Sequence, residues 1–486
     1  MIPLSLKEVA EITGGRLHGI DGATAAALVV DGPVVTDSRE AGPRGLYVAR
    51  VGEQLDGHQF VSSARVQGAA AAMTTREVDE LPCVVVDDIQ EGLASLARAV
   101  VDRHPELTVI GITGSSGKTS TKDLLAAVLA TAGPTVAPVG SLNSEVGVPL
   151  TVFRVTPQTR FLVVEMGARG IGHIRYLTTM APPRIGIELN VGTAHVGEFG
   201  SREAIATAKA ELVEALPADG LAVLNADDPA VRAMAARTSA RVQLVGTTGE
   251  AAIRAEEVRL DEAGRPAYTL HTPAGTAEVT LPLHGEHHVG NSLAVVAAAL
   301  ECGLDLDSTV RALATATPAS RWRMEVSQRP DGVTVVNDAY NANPDSVRAA
   351  LKALVAMGHG RRTWAVLGSM LELGEESTTE HDAIGRLAVR LNVSRLVVVG
   401  DLARPMATGA QHEGSWGDEA VWVPDADAAH ALLSEELRPG DVVLFKSSRD
   451  AGLRWLGDRV AGEGAEPTAD VDADDEPADD NMEDAP

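Results

Sequence analysis

A lysine and a threonine directly after a glycine-rich turn can hold the charged end of a nucleoside triphosphate, and this chain carries Gly114-Ser115-Ser116-Gly117-Lys118-Thr119-Ser120. Glycines 114 and 117 let the backbone curl until successive N–H groups point at one anion. Lys118 can then reach the β- and γ-phosphates, and the Thr119 hydroxyl can bind Mg2+. The strict motif places a further glycine six residues before the lysine; here Ile112 stands there, and Gly111 precedes it. Two elements must frame such a loop. The apolar, β-branched run from Leu107 to Ile112 predicts a strand, and Lys118 to Leu129 predicts a helix with Leu124, Leu125, Val128 and Leu129 on one face. The helix N-terminus adds its positive dipole end to the phosphate site.

Three further predicted strands end in polar groups: Phe161–Val164 at Glu165, Ile185–Val191 before His195, and Leu221–Leu224 before Asn225, Asp227 and Asp228. In open α/β sheets ligands bind at the carboxyl ends of the strands, which would gather these groups around the phosphate loop. Glu165 is then a hard oxygen ligand for Mg2+ and His195 a second ligand or a phosphate contact; the plain alternative for each is a satisfied structural polar group. On the predicted helix from Arg202 to Leu216, Lys209 falls on the face of Ile205, Leu212 and Leu216. Such a lysine either snorkels outward with its stem buried, or burial depresses its pKa and leaves a neutral amine. A neutral amine can take up carbon dioxide, and the resulting carbamate is an anionic ligand for a second Mg2+.

Around these groups the chain divides into segments. Residues 1–104 hold short strands and helices, with Asp37, Ser38, Arg39, Asp56 and His58 in polar loops that suit a nucleotide sugar or simply turn in solvent. Strands and helices alternate from 105 to 327, as in a largely parallel sheet covered by helices, with an inserted antiparallel section expected at 245–283. Asn291, in the first turn of an Ala-rich helix ending at Leu300, can meet a base edge or serve as a structural amide. Residues 328–460 alternate again without the Gly-x-Gly-x-x-Gly fingerprint, predicting a Rossmann-like module that brings a substrate to the nucleotide. Its opening loop, Asn337-Asp-Ala-Tyr340-Asn341-Ala-Asn343-Pro-Asp-Ser346, is too rich in amides for a simple turn. The fold class expected is therefore α/β, in three domains.

Composition excludes several classes. Of the net charge of −27, eleven units lie in Ala461–Pro486, an acidic segment expected to be disordered, and the remaining −16 argues against nucleic acid as a partner. Two cysteines make no disulfide framework. With no apolar run of 18 residues and no signal-peptide pattern at Met1–Ala10, a cytoplasmic monomer away from membranes is expected.

Taken together, the motifs resemble the ATP-dependent Mur ligases of peptidoglycan synthesis over about residues 1–455. The resemblance rests on Thr113–Thr119, Asn143-Ser-Glu-Val-Gly-Val-Pro149, Glu165-Met-Gly167, Ala194-His195 with Phe199-Gly-Ser201, Ala208-Lys209 and Leu371-Glu-Leu-Gly-Glu375. The amide-rich loop at 337–346 sets apart the branch that adds D-alanyl-D-alanine to UDP-N-acetylmuramoyl-tripeptide. Its implications are an acyl-phosphate ligation with ATP and two Mg2+, with Lys118, His195 and Lys209 catalytic and Thr119, Glu165, His195 and carbamylated Lys209 on metal. Asn291 would bind adenine, and Arg323 and Asp338 the rest of ATP. Asn143, Tyr340, Asn341 and Asn343 would contact the peptide substrates, and Ser38 and Arg39 the uridine. The chain departs from the family at His288, Ser369 and Ser447. A sibling Mur ligase, a folylpolyglutamate synthetase-like enzyme and a nucleotide-driven switch remain the alternatives.

Overall fold

A computed structural model describes residues 1–52, 55–192, 196–415 and 419–462. Three sheets organise it. The first, of five strands, runs Arg16–His18, Cys83–Val85, Ala71–Thr74, Leu46–Val48, Val34–Val35, with Arg16–His18 antiparallel and the rest parallel. The helix Leu6–Thr13 beside it starts with a reciprocal cap, in which the Ser5 hydroxyl accepts from the Glu8 N–H and the Glu8 carboxylate accepts from the Ser5 N–H.

The second sheet has nine strands, in the order Gly275–Thr280, Pro266–Thr272, Ile253–Leu260, Arg241–Gly246, Leu221–Asn225, Ile185–Glu188, Thr108–Thr113, Phe161–Glu165, Thr135–Val136. Thr108–Thr113 lies between Ile185–Glu188 and Phe161–Glu165, parallel to both. The carboxyl ends of all three strands therefore open on the same side as the phosphate loop. The section expected as an antiparallel insertion does form two antiparallel pairs, but Ile253 pairs in parallel with Val245, so it extends the same sheet. Helices cover the faces: Lys118–Ala130 packs on His288–Glu301, whose Leu293, Val295 and Val296 are buried with Leu125, Val128 and Leu129.

The third sheet, Glu325–Gln328, Thr334–Asn337, Val442–Lys446, Thr363–Leu367, Arg395–Val399, Ala420–Val423, is parallel except at its first strand. That strand ends at Gln328, and the antiparallel pairing of Glu325 with Asn337 draws the end of the connecting segment into the sheet.

The joints between the units differ. The helix Ile89–Asp102 packs on Gly147–Val152 and His173–Met180 of the second unit. One apolar core runs without a break from Leu4, Val48 and Met73 to Val148, Phe153, Leu162 and Leu177. The third unit has its own cores around Val336, Leu354, Leu367 and Leu444 and around Trp364, Val397 and Phe445. It reaches the second through polar contacts, the packing of Val196–Phe199 on Gly374–Glu376 and the segment around Arg321–Met324.

Candidate functional site

The phosphate loop leaves the buried strand Thr108–Thr113 and turns at two glycines. Gly114 has φ +154°, and a Cβ there would stand 2.9 Å from the Leu189 Cβ; Gly117 has φ +82°, and its Cβ would stand 2.8 Å from Asn291 Oδ1. No side chain caps the N-terminus of the helix Lys118–Ala130, so its first N–H groups face the cleft. Asn190 staples the loop: its Oδ1 accepts from Ser116 N–H at 2.9 Å, and its Nδ2 donates to Ser116 O at 3.1 Å. Lys118 folds back, donating from Nζ to Gly114 O at 2.8 Å, and burial lowers its pKa against the opposing pull of Glu165.

At the carboxyl end of Phe161–Glu165, the fully buried Glu165 gathers hydroxyls. Its Oε2 accepts from Thr119 and Ser141, each at 3.3 Å, while the Thr119 and Ser141 hydroxyls lie 2.9 Å apart. Asn143 Nδ2 approaches the same oxygen at 3.5 Å. Glu165 Oε1 is buried without a hydrogen-bond partner among the described residues. A carboxylate with one orphaned oxygen beside two hydroxyls is a hard donor set that fits a small divalent cation. Among the described residues no three His, Cys, Asp or Glu close into a cage. A bound ion would therefore complete its shell from phosphate oxygens and water.

Lys209, on the helix Arg202–Glu214 capped by Ser201, is buried and lines the same cleft. Desolvation, reinforced by the Lys118 charge, brings its pKa down to about 7. It therefore does not snorkel. Facing it is Glu188, which sequence reasoning missed: buried, with both carboxylate oxygens lacking partners among the described residues, its pKa raised well above the usual range by desolvation. A lone acid in the apolar run Ile185-Gly-Ile-Glu188-Leu189 was the available signal. Ser141 also went unnoticed, and nothing local marked it; Lys446 was visible only as the polar end of the strand from Val442.

From the third unit, Arg323 Nη2 donates to Thr119 Oγ1 at 3.2 Å and to Ser141 Oγ at 3.4 Å, its guanidinium 4.2 Å above the Tyr340 ring. Asp338 accepts from Met324 N–H at 3.1 Å and from Lys446 Nζ at 2.7 Å. Asn341 Oδ1 accepts from Ala342 N–H. Asn343 caps the helix Pro344–Gly358 and donates from Nδ2 to Ser115 O at 3.2 Å, touching the phosphate loop directly. Asn291 Nδ2 is buried without a partner among the described residues.

Apart from Gly114 and the fully buried Glu165, these residues line one cleft of about 540 Å3, with Ser120, Asn143, Arg169, His173 and, from the first unit, Arg50. Ser38 and Arg39 are not brought into its lining. They sit in the turn Ser38–Glu40 of the first unit, where the Arg39 guanidinium pairs with Asp37. Asp56 and His58 are tied up locally, His58 Nδ1 lying 2.6 Å from Asp56 Oδ1 while its Nε2 accepts from Thr75 N–H. His195 lies outside the described residues. A separate depression lined by His104, Arg160, Arg184 and Cys302 opens at the amino ends of the strands, away from these groups.

The Mur ligase middle domain family matches residues 112–299, and the Mur ligase, glutamate ligase domain family matches 322–449. The UDP-N-acetylmuramoyl-tripeptide–D-alanyl-D-alanine ligase of Mycobacterium tuberculosis is 50% identical, covering 95% of this chain and 98% of that protein. The crystal structure of MurF from Acinetobacter baumannii superposes with a TM-score of 0.83 at 30% identity, over 95% and 99% of the two chains. MurF ligase from Thermotoga maritima in complex with ADP gives 0.76 at 28% identity, over 90% and 99%. Matched along nearly its whole length in sequence and in fold, the chain belongs to the Mur ligase family, beside the ligases that bear the tripeptide–D-alanyl-D-alanine name.

Proposed function

We propose that this enzyme joins D-alanyl-D-alanine to UDP-N-acetylmuramoyl-tripeptide at the expense of ATP, making the pentapeptide precursor of peptidoglycan. The observation that carries the proposal is the meeting of two units on one loop: Asn343 on Ser115, and Arg323 on Thr119. A triphosphate held there lies where an acyl phosphate formed from its γ-phosphoryl group is within reach of an amine presented by the third unit. The relatives' names and the ADP-bound neighbour support the substrates and the nucleotide.

A carboxylate is a poor electrophile until one of its oxygens is phosphorylated. The terminal carboxylate of the tripeptide attacks the γ-phosphorus as the bond to the β-phosphate oxygen breaks, giving an acyl phosphate and ADP. The dipeptide amine, once deprotonated, attacks the acyl carbon, and phosphate departs from the tetrahedral intermediate. Residues 114–120 hold the triphosphate through backbone N–H groups, Lys118 swings from Gly114 O to the transferring phosphoryl oxygens, and Arg323 adds positive charge from the far wall. Asn291 contacts the base, and Asp338 holds Lys446 and the Met324 N–H so that Arg323 keeps its place. Thr119 and Glu165 would hold Mg2+, with His195 and carbamylated Lys209 as ligands of a second ion; bound Mg2+ neutralises developing phosphate charge. Asn143 receives the muropeptide; Tyr340, Asn341 and Asn343 receive the dipeptide; Ser38 and Arg39 in residues 1–104 receive uridine. Closure of the third unit keeps water from the acyl phosphate.

Among the described residues no helix is long and apolar enough to cross a membrane. ATP and nucleotide-linked substrates support a cytoplasmic site of action.

The test is phosphate release with each substrate omitted in turn. Release that needs both UDP-N-acetylmuramoyl-tripeptide and D-alanyl-D-alanine is expected. Equal turnover with a single amino acid as acceptor would move the enzyme to a sibling activity, and strong hydrolysis of ATP alone would make it a switch.

A further inference from the structure

One turn beyond Thr119, the helix Lys118–Ala130 carries a second charged pair that the chemistry above does not use. Lys122 is 1% exposed and Asp123 6%. An ammonium has three hydrogens to donate, and Lys122 Nζ has three acceptors: Asp123 Oδ1 at 2.5 Å, Pro138 O at 3.0 Å and Ser320 Oγ at 3.1 Å. Asp123 uses its other oxygen to accept from Ser320 N–H at 2.9 Å. The acceptors come from three segments, and each segment delivers one member of the hydroxyl–guanidinium cluster at the phosphate end of the cleft. The helix delivers Thr119, the stretch after Pro138 delivers Ser141, and the stretch after Ser320 delivers Arg323.

The last of these is the connection to the third unit, and its backbone is constrained. Trp322 and Met324, on either side of Arg323, both have positive φ, +57° and +52°. Non-glycine residues keep that conformation only where their surroundings enforce it. Here the Trp322 N–H donates to Glu325 Oε2 and its indole N–H to Asp458, while the Met324 N–H donates to Asp338. Asp123 and Lys122 hold the other end of the same segment. Arg323 Nε is buried without a partner among the described residues, a donor left for a ligand.

We propose that Lys122 and Asp123 are positioning residues: they peg the Ser320–Met324 connection to the phosphate-loop helix, so that Arg323 reaches the nucleotide only while the third unit holds its ligation orientation. The proposal rests on Arg323 being a nucleotide contact. The placement of Arg323 against the transferring phosphoryl group and domain orientation are thereby coupled through a lysine that touches neither substrate.

The experiment uses the full chain with Lys122→Met, Ser320→Ala, Arg323→Lys and the double variant Lys122→Met/Arg323→Lys. It reads kcat and KM for dipeptide-dependent phosphate release, ADP affinity by calorimetry, and the ADP-bound distance between spin labels on the helices Pro229–Ala233 and Ala426–Glu436. Lys122→Met is expected to lower kcat about 10- to 100-fold, the range for slight misplacement of a catalytic group, with ADP affinity kept within about threefold. The double variant should fall no further than Arg323→Lys alone, and the label distance should broaden. Ser320→Ala, which leaves Lys122 its other two acceptors, should lower kcat about threefold, less than a whole charge-assisted hydrogen bond is worth, and decides the matter should Lys122→Met fail to fold. Multiplying effects in the double variant, ADP affinity falling in step with kcat, or an unchanged label distance would each overturn the proposal. Wild-type enzyme without dipeptide-dependent turnover would instead remove the ligase assignment, and the label distances alone would then judge the clamp.

Discussion

Two lysines on two helices beside the same sheet are both buried, and they are treated in opposite ways. Lys122 has an acceptor for every N–H and a carboxylate at 2.5 Å. Lys209 has no hydrogen-bond partner among the described residues and faces Glu188, whose oxygens are likewise unpartnered among them. Burying a charge without partners costs several kcal/mol unless the group sheds its charge. The first site spends its buried charge on holding chain segments together; the second keeps its groups unpaired and close to neutral, ready for a ligand. Desolvation alone therefore does not mark an active-site lysine, and the count of satisfied donors separates the two.

The contrast can be broken by experiment. Lys209→Met should abolish measurable ligation, a loss on the order of 10^3-fold or more, comparable to losing a charge-stabilising group, while the melting temperature stays level or rises. Lys122→Met should do the reverse in stability, costing about 3 kcal/mol in urea unfolding because Asp123 is left buried and half-paired. Equal destabilisation by both changes would erase the distinction.

The pH dependence sharpens it. Between about pH 7 and the ordinary lysine value, unfolded chains bind a proton at residue 209 that the folded chain has released. The Lys209 contribution to stability therefore rises with pH across that window. The difference in unfolding free energy between wild type and Lys209→Met should climb from pH 7 to pH 10, and a flat difference would mean an ordinary ammonium. In the same window bicarbonate should activate the enzyme, and more weakly below pH 7, where the protonated amine cannot take up carbon dioxide. The smallest effect is expected at the base contact: Asn291→Ala should raise KM for ATP about tenfold, one hydrogen bond's worth, with kcat nearly unchanged.

Local patterns carried much of this arrangement in the sequence. Strand, glycine turn and helix around residues 107–129 are contiguous, and so are the helix that carries Lys209 and the amide-rich loop, so each was readable without knowing the fold. What escaped depends on distance along the chain. Lys122 meets Ser320 across 198 positions, and no spacing rule connects them. The carboxylate at 188 was hidden because its neighbours read as a buried strand, in which one acid is easily passed over. The section 245–283 was recognised as antiparallel, yet only the pairing of Val245 with Ile253 reveals which sheet it joins. Ser38 and Arg39, expected to hold uridine from their polar loop and the family resemblance, lie in the first unit outside the cleft that gathers the other groups.

The unbroken core that joins the first two units has a consequence for how the chain comes apart. Cutting near residue 104 would expose Leu93, Leu96, Val152 and Leu177 together, so the first hundred residues should resist excision and fail to survive as a fragment. Thr317, Pro318 and Ala319, ahead of the Ser320 clamp, are exposed, and a protease given limited time should nick there first, releasing the last unit intact.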